Sequence, residues 1–332
     1  MLKIGVVGVG HLGQHHARKF MNMDNAILAG IYDAKSSRAK EIAKTLSAHR
    51  FESYDALLDT CDAVDIAATT TAHYELALKA LQAGKHIFLE KPITGKLEEA
   101  KELLDLADSK KLKIQVGHIE RFNPVILRVE NEIKDPVFIE STRISTFHSR
   151  GTDVPVVLDV MIHDIDLILS FVHSPIKHIH ASGIGILTPS IDIANARIEF
   201  ENGAIANVTS SRVSLKQERK IRFFQKDCYI TLDFQTKQAK VIKKSPHVMK
   251  YLPKIMMGAT DIDPAKLVDQ SLYDCADGAK DALSMELQSW VDAILTDSKP
   301  IVDGHAGAKA LEVAEQIITI INKQLKKSKI KV

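Results

Sequence analysis

The sequence is short of cysteine, of charge of one sign and of long apolar runs. Its three cysteines, Cys61, Cys228 and Cys275, are odd in number and widely spaced. No disulfide framework or zinc-binding spacing can be drawn through them, and reduced thiols in a cytosolic protein are the expectation. The chain has 44 Lys and Arg against 42 Asp and Glu, a formal net charge of +2. That balance gives no reason to expect nucleic acid or an anionic membrane as a partner, and leaves room for a local basic site on a phosphorylated ligand. No apolar stretch is long enough to span a bilayer, and the chain opens on a strand pattern rather than a signal peptide. A cytoplasmic location is therefore expected. There are no internal repeats, and the lysine-rich tail is the one low-complexity tract.

What is present is an ordinary globular composition, 45% hydrophobic and 26% charged, over 332 residues. That is material for about two domains with a sizeable core. The first third alternates strand and helix. Apolar runs at 3–7, 26–32, 63–68, 86–89 and 113–116 predict strands, and the segments between them carry helical spacing. Ser36 and Ser53 stand where N-caps belong, and Gly84 where a left-handed C-cap belongs. Repeated strand–helix units imply a doubly wound parallel sheet, a Rossmann arrangement in the α/β class, over residues 1–122. Ligands on such sheets bind at the carboxyl ends of the strands, where Gly8, Asp33, Thr69, Glu90 and Gly117 are expected. Residues 123–332 read differently. Short strand-like runs with tight turns, including Asn202-Gly203, predict an α+β domain with a largely antiparallel open sheet. A helix is expected over 158–171, with two more closing the chain at 284–295 and 305–325. Residues 245–281 show no period and read as a long loop. An open sheet has a second face to cover, and self-association is one way to cover it.

Gly8-Val9-Gly10-His11-Leu12-Gly13 matches G-x-G-x-x-G after a strand and before a helix, the context that a dinucleotide fingerprint requires. The first glycine permits the tight turn, the second lets backbone approach a pyrophosphate, and the third lets helix and strand pack closely. The helix N-terminus then presents N–H groups and a positive dipole end to phosphate. Asp33, about twenty residues on, can accept hydrogen bonds from the adenosine ribose hydroxyls and would repel a 2′-phosphate. NAD is therefore favoured over NADP, with Lys35, Ser36 and Arg38 as neighbours able to weaken that preference.

Hydride transfer from an alcohol needs a base for the hydroxyl proton and a cation for the developing alkoxide. Lys91, in Glu90-Lys91-Pro92 at a strand end, and His163, in Asp159-Val160-Met161-Ile162-His163, are suitable types. Asp159 and His163 are four apart in a helical pattern and share a face. Taken alone, that pair is better read as an ordinary helix with a capping Asp and a satisfied His. Neither His15-His16 nor His163-Asp164 supplies a full ligand set, and no metal is expected.

These pieces together resemble the glucose–fructose oxidoreductase / inositol dehydrogenase (Gfo/Idh/MocA) family. The resemblance is carried by the Gly8–Gly13 fingerprint, Ala67-Ala68-Thr69-Thr70-Thr71-Ala72-His73, and Ala83-Gly84-Lys85-His86-Ile87-Phe88-Leu89-Glu90-Lys91-Pro92-Ile93. It extends through residues 117–124 and 159–166 to Glu286-Leu287-Gln288-Ser289-Trp290. It implies a nicotinamide cofactor and a homodimer or homotetramer. It also implies that Lys91 contacts substrate and nicotinamide, that His163 is the general base and that Asp159 is its acidic partner. Glu90 would lie near the nicotinamide ribose, and Thr69, Thr71 and His73 would border the cofactor. Thr70 stands where many members carry proline, and Val154-Pro155-Val156-Val157 where many carry a glycine-rich run.

Residues 118–124 and 157–166 are similar to a narrower branch that includes UDP-N-acetylglucosamine 3-dehydrogenases. That implies a sugar-nucleotide substrate, with Arg121 and Asn123 holding the sugar or its phosphates; a domain-junction salt bridge is the plainer reading of Arg121. Two rivals stand beside this expectation. A dehydrogenase of a free sugar or inositol would need no basic surface near Arg121, Arg143, His148 and Arg150. A non-enzymatic NAD-sensing regulator of the same fold could have lost the catalytic residues, whereas Lys91, Asp159 and His163 are all present.

Overall fold

In the computed structural model, residues 1–147, 154–258, 263–276 and 281–327 are described. The chain forms two compact units, Met1–Phe122 with Lys280–Glu315, and Asn123–Ala279 with Gln316–Val332.

The first unit runs β1 (Leu2–Val7), α1 (Gly13–Phe20), β2 (Ala26–Tyr32), α2 (Ser36–Leu46), α3 (Tyr54–Thr60), β3 (Ala63–Ile66), α4 (Thr70–Gln82), β4 (His86–Glu90), α5 (Leu97–Lys110) and β5 (Ile114–Gly117). Its five strands make one parallel sheet in the order β2-β1-β3-β4-β5. Ile4, Val6, Val64, Ile66, Ile87, Phe88 and Leu89 are fully buried, as strands covered on both faces require. The order reverses direction between β1 and β3, so the ligand crevice of this topology lies at their carboxyl ends. Ser53 caps α3 as expected, its hydroxyl accepting from the Ala56 N–H at 3.2 Å. Gly84 follows α4 with φ of 74°. Ser36 is not a cap: Lys35 holds that position and Ser36 is already helical. The cause is Asp33, whose Oδ1 accepts from the Lys35 N–H at 2.8 Å and closes a local turn one residue earlier.

The second unit contains α6 (Pro124–Val129), β6 (Phe138–Ile144), a π-helical turn over Val157–Met161, α7 (Ile162–Phe171), β7 (Ile176–Ile184), β8 (Ile193–Phe200), β9 (Ile205–Ser211), β10 (Glu218–Gln225), β11 (Cys228–Asp233), β12 (Gln238–Lys244), α8 (Val248–Met256) and β13 (Val268–Asp274). Eight strands form one sheet in the order β13-β12-β11-β10-β6-β9-β8-β7. Neighbours are antiparallel except β6 and β9, which pair in parallel. Burial alternates along β6, β8 and β9, so one face packs inward, Phe223 meeting Phe171 of α7 at 5.2 Å between ring centroids. The expected loop over 245–281 is instead α8 and β13 within its described part. Side chains along β13 are almost all exposed. An edge strand with no buried face leaves no alternation to read.

Two helices follow, α9 (Ala282–Leu295) and α10 (Gly304–Lys327). The segment Lys280–Glu315 belongs to the first unit, which corrects the expected assignment of everything after residue 122 to the second. Leu287, Trp290 and Val291 form one buried stripe of α9 and join the core of Val6, Phe20 and Phe88. The Gln115 amide donates to the Glu286 carbonyl at 2.9 Å, and the Val116 N–H to the Val302 carbonyl at 2.9 Å. Among the described residues no helix is long and apolar enough to cross a membrane.

Candidate active site

The residues singled out in the sequence divide between the two units. In the first, Gly8, Asp33, Glu90 and Gly117 stand at or just past the carboxyl ends of β1, β2, β4 and β5, and Thr69 holds the N-cap position of α4 after β3. Gly8 has φ of 83°, and a Cβ added there would stand 2.7 Å from the Ala68 Cα across the switch point. A Cβ on Gly13 would collide with the Gly8 carbonyl oxygen. Around Gly10 there is open space, with nothing within 4 Å of an added Cβ. His11 and Leu12 are exposed just before α1. The loop is thus held tight at its ends and open at its middle, which fits a pyrophosphate laid over the start of α1.

Asp33 fixes that loop. Its Oδ2 accepts from the Val9 N–H at 2.9 Å while Oδ1 binds the Lys35 N–H. A carboxylate has lone pairs left for ribose hydroxyls after two such bonds. Arg38 is committed to the same loop, its Nε donating to the Val9 carbonyl at 3.0 Å and its Nη1 pairing with Glu41 at 2.9 Å. Thr69 and Thr71 are exposed, with hydroxyls 3.2 Å apart at the start of α4. Thr70 is the first residue of that helix, a position that proline also suits, so the departure from the family pattern is absorbed there.

His73 is 1% exposed, so direct contact with a cofactor is not its place. Its Nδ1 lies 2.9 Å from the Pro92 carbonyl and its Nε2 3.2 Å from the Ala68 carbonyl. Burial holds its pKa below the usual imidazole value. The neutral ring has one N–H to share between the two carbonyls, tying the start of α4 to the loop after Lys91. The Lys91–Pro92 peptide bond is cis, and Lys91 is half-buried.

Behind Lys91 lies a buried set that the sequence reading passed over. His16 and Asp65 are fully buried, with Nδ1 and Oδ2 2.8 Å apart. His16 Nε2 lies 3.3 Å from Oε1 of Glu90, whose side chain is 13% exposed. Oε2 of Glu90 accepts from the Lys91 N–H at 3.2 Å. Burial works against a charged His16, but the Asp65 and Glu90 carboxylates outweigh it and hold its pKa well above the usual value. Burial likewise raises Asp65, opposed by His16. Burial also works against a charged Glu90, yet His16 and Lys91 bring its pKa below the ordinary range. The signal was legible: an aspartate within the apolar strand Ala63-Val64-Asp65-Ile66 has to find a partner.

In the second unit Asp159 and His163 are both half-buried. The expected single helix over 158–171 begins instead with the π turn, in which the Ile162 N–H reaches the Val157 carbonyl five residues back. Asp159 lies in the π turn and His163 on the first turn of α7. Such turns recur at functional sites because they re-aim side chains within a helix. Asp164 and Asp166 point elsewhere, each 1% exposed. Asp164 is paired with Arg143 of β6 at 2.7 Å. Arg143 is itself 5% exposed, so it belongs to the packing of α7 and not to a basic surface. His148 and Arg150 lie outside the described residues. Arg121 is half-buried in a short 3₁₀ turn of the first unit. The Asn123 Oδ1 caps α6, accepting from the Val125 N–H at 3.1 Å ahead of Pro124. Asn-Pro before an apolar run is itself a helix-start signal. Among the described residues no group of three His, Cys, Asp or Glu side chains could hold a metal ion.

The π turn has its own support. Asp192, fully buried, accepts from the N–H groups of Ile186, Leu187 and Thr188 at 2.7–2.9 Å and from Arg212 Nε at 2.8 Å. Arg212 Nη1 donates to the Val154 carbonyl at 2.8 Å, and the Val156 N–H to the Ile191 carbonyl at 2.8 Å. Burial acts against ionisation of Asp192, but these donors hold its pKa well below the carboxylate range. A depressed pKa means stability that is complete above the unfolded value, about 3.9, and lost as pH falls towards the folded one. Urea midpoints measured from pH 7 to pH 3 should therefore fall at the acid end. Asp192→Asn should be less stable at pH 7 and show a shallower acid slope; an unchanged slope would remove Asp192 as its source.

Comparison with known proteins adds four observations. The model of the GFO/IDH/MocA oxidoreductase family, NAD-binding Rossmann fold, matches residues 2–118, and that of the GFO/IDH/MocA C-terminal domain matches residues 126–230. The chain is 33% identical to UDP-N-acetylglucosamine 3-dehydrogenase of Acidithiobacillus ferrooxidans, over 95% of this chain and 96% of that one. A solved structure of that enzyme superposes with a TM-score of 0.86, covering 96% of this chain and 97% of the other. The scyllo-inositol 2-dehydrogenase (NAD(+)) of Bacillus subtilis is 30% identical over 64% of this chain and 68% of its own length.

Proposed function

The chain belongs to the GFO/IDH/MocA family of oxidoreductases, and from that premise we propose that it oxidises the 3-hydroxyl of a UDP-N-acetylhexosamine, such as UDP-N-acetylglucosamine, to a ketone. The observation that carries the reading is 33% identity along nearly the whole of both chains to an enzyme of that name. A match confined to the cofactor unit would carry the family alone.

Bound NAD supplies the hydride acceptor at carbon 3. Gly8, Gly10, His11, Leu12 and Gly13 hold its pyrophosphate over α1, Asp33 its adenosine ribose, and Thr69, Thr71 and Glu90 border the rest. Lys91 places a cation at the substrate oxygen, His163 takes the hydroxyl proton, and Asp159 orients His163. Arg121 contributes to holding the sugar nucleotide. Asn123 contributes beside it while its Oδ1 caps α6, and His73 ties the start of α4 to the loop behind Lys91. The test is NADH formation over UDP-N-acetylglucosamine, free sugars and inositols. Turnover of UDP-N-acetylglucosamine is expected; robust oxidation of an inositol without it would overturn the reading.

The preference for NAD over NADP is supported by the carboxylate of Asp33 at the end of β2 and by Arg38 being committed to the Val9 carbonyl and Glu41. Asp33→Ser is expected to raise relative use of NADP at least about tenfold, the scale of one lost charge repulsion at a partly buried site. An unchanged cofactor ratio would sink the assignment. On the outer face of the second unit's sheet Phe224 stacks on Tyr229 and meets a tilted Phe138, with ring centroids 4.7 and 5.3 Å apart. That face supports a homodimer or homotetramer; a monomer in sedimentation at micromolar concentration would exclude it.

A further inference from the structure

We propose that His16 is a positioning residue for the reaction: as an imidazolium bridging Asp65 and Glu90, it fixes the Glu90 carboxylate that in turn holds the backbone of Lys91. The inference rests on the reading of Lys91 as the lysine at the reacting oxygen, and assigns His16 no contact with substrate.

The geometry is a chain of three short steps within the first unit. Asp65 Oδ2 lies 2.8 Å from His16 Nδ1, His16 Nε2 lies 3.3 Å from Glu90 Oε1, and Glu90 Oε2 accepts the Lys91 N–H at 3.2 Å. Gly117, in register with Glu90 on β5, makes room for the carboxylate: a Cβ there would stand 3.0 Å from Glu90 Cδ. The Phe88 ring meets the imidazole edge at 5.7 Å. Among the described residues, the charged groups facing His16 are Asp65 from β3 and Glu90 from β4.

Charge balance makes the imidazolium the working form. Two carboxylates this close, one fully buried and the other 13% exposed, cannot both stay ionised without a cation between them. With His16 charged, both keep their protons off and Glu90 keeps an anionic oxygen for the Lys91 amide. With His16 neutral or absent, one carboxyl takes a proton and Glu90 is free to rotate away. His16 also sits on the first turn of α1, just behind the glycine fingerprint. The network therefore ties the helix expected to carry the cofactor pyrophosphate to the strand end that presents the lysine. Small displacements of a reacting group, on the order of 1 Å, cost about a hundredfold in rate.

The experiment is a double-substitution cycle on the full chain, assayed with NAD and UDP-N-acetylglucosamine. His16→Asn should lower kcat about ten- to a hundredfold, with KM for the sugar nucleotide and Kd for NAD changed less than about threefold. Glu90→Gln should lower kcat by a similar factor, and His16→Asn in the Glu90→Gln background should add less than about twofold, because one residue acts through the other. Independent, multiplying losses would overturn the proposal, as would a kcat that merely tracks loss of thermal stability. Imidazole ¹⁵N shifts of the unsubstituted protein provide a readout that needs no variant to fold. His16 should remain doubly protonated at pH 8, and titration near the ordinary imidazole value would overturn the bridge. Lys91→Ala serves as control: if it retains near-normal kcat, the reading of Lys91 fails whatever His16 does.

Discussion

Lys91→Ala is expected to lower kcat with UDP-N-acetylglucosamine by roughly a hundredfold to a thousandfold, the cost of removing one preorganised charge stabiliser from a developing oxyanion. NAD affinity should change less than about threefold, because the residues proposed to hold the nucleotide, the loop at Gly8–Gly13 and Asp33, stand on separate strand ends. Its fold should survive, since Lys91 is half-buried and the backbone around it is set by other groups. Glu90 holds its amide, and His73 holds the Pro92 carbonyl at 2.9 Å. The loss should therefore appear in kcat, with thermal stability and cofactor titration near those of the parent. Lys91→Arg keeps the charge but spreads it over a planar fork, and should rescue only a fraction. Near-normal turnover in Lys91→Ala, measured as NADH formation at saturating substrate, would remove the lysine from the chemistry.

Trp290→Ala is expected to cost about 3–5 kcal/mol of stability, the usual scale for emptying a fully buried aromatic site. The indole has no exposed surface and stands against Phe20 of α1 at 6.2 Å and Phe88 of β4 at 5.8 Å between ring centroids. Rings at those distances and steep angles contribute beyond their area. The resulting cavity would border Phe88, two residues before Glu90, and Phe20, on the helix that carries His16. Activity should therefore fall before unfolding begins. Trp290→Phe should recover most of the stability by refilling much of the volume. Trp290 is the only tryptophan of the chain, so circular dichroism in urea is the measurement. A loss under about 1 kcal/mol would show that α9 is an accessory to the first unit and not part of its core.

How much of this was legible in the sequence depends on how locally each feature is specified. The parallel sheet was, because buried strands of five or so apolar residues and helices with one apolar stripe carry their periods in short windows. The placement of Gly8, Asp33, Thr69, Glu90 and Gly117 on one sheet edge followed from that alone. The Ser36 cap failed because Asp33 competed for the same turn, a side-chain choice that periodicity does not see. β13 was missed because an edge strand with both faces wet has no alternation. Arg143 could not be assigned to a surface or to the interior, because its partner, Asp164, lies on another element, and a charge on an alternating strand looks the same facing water or a buried carboxylate. His16 and Asp65 were individually conspicuous, one beside a glycine fingerprint and one inside an apolar strand. Forty-nine residues separate them, and nothing local joins them.

The return of Lys280–Glu315 to the first unit bears on how the protein is made. The five strands of that unit leave the ribosome early, yet the helix that closes over Phe20 and Phe88, Ala282–Leu295, is synthesised well over a hundred residues after the last of them, Ile114–Gly117. At roughly 5–20 residues per second the nascent sheet waits about eight to thirty seconds with that apolar surface uncovered. A ribosome stalled after residue 279 should present a first unit that is protease-sensitive, and one stalled well after residue 315 a first unit that is resistant.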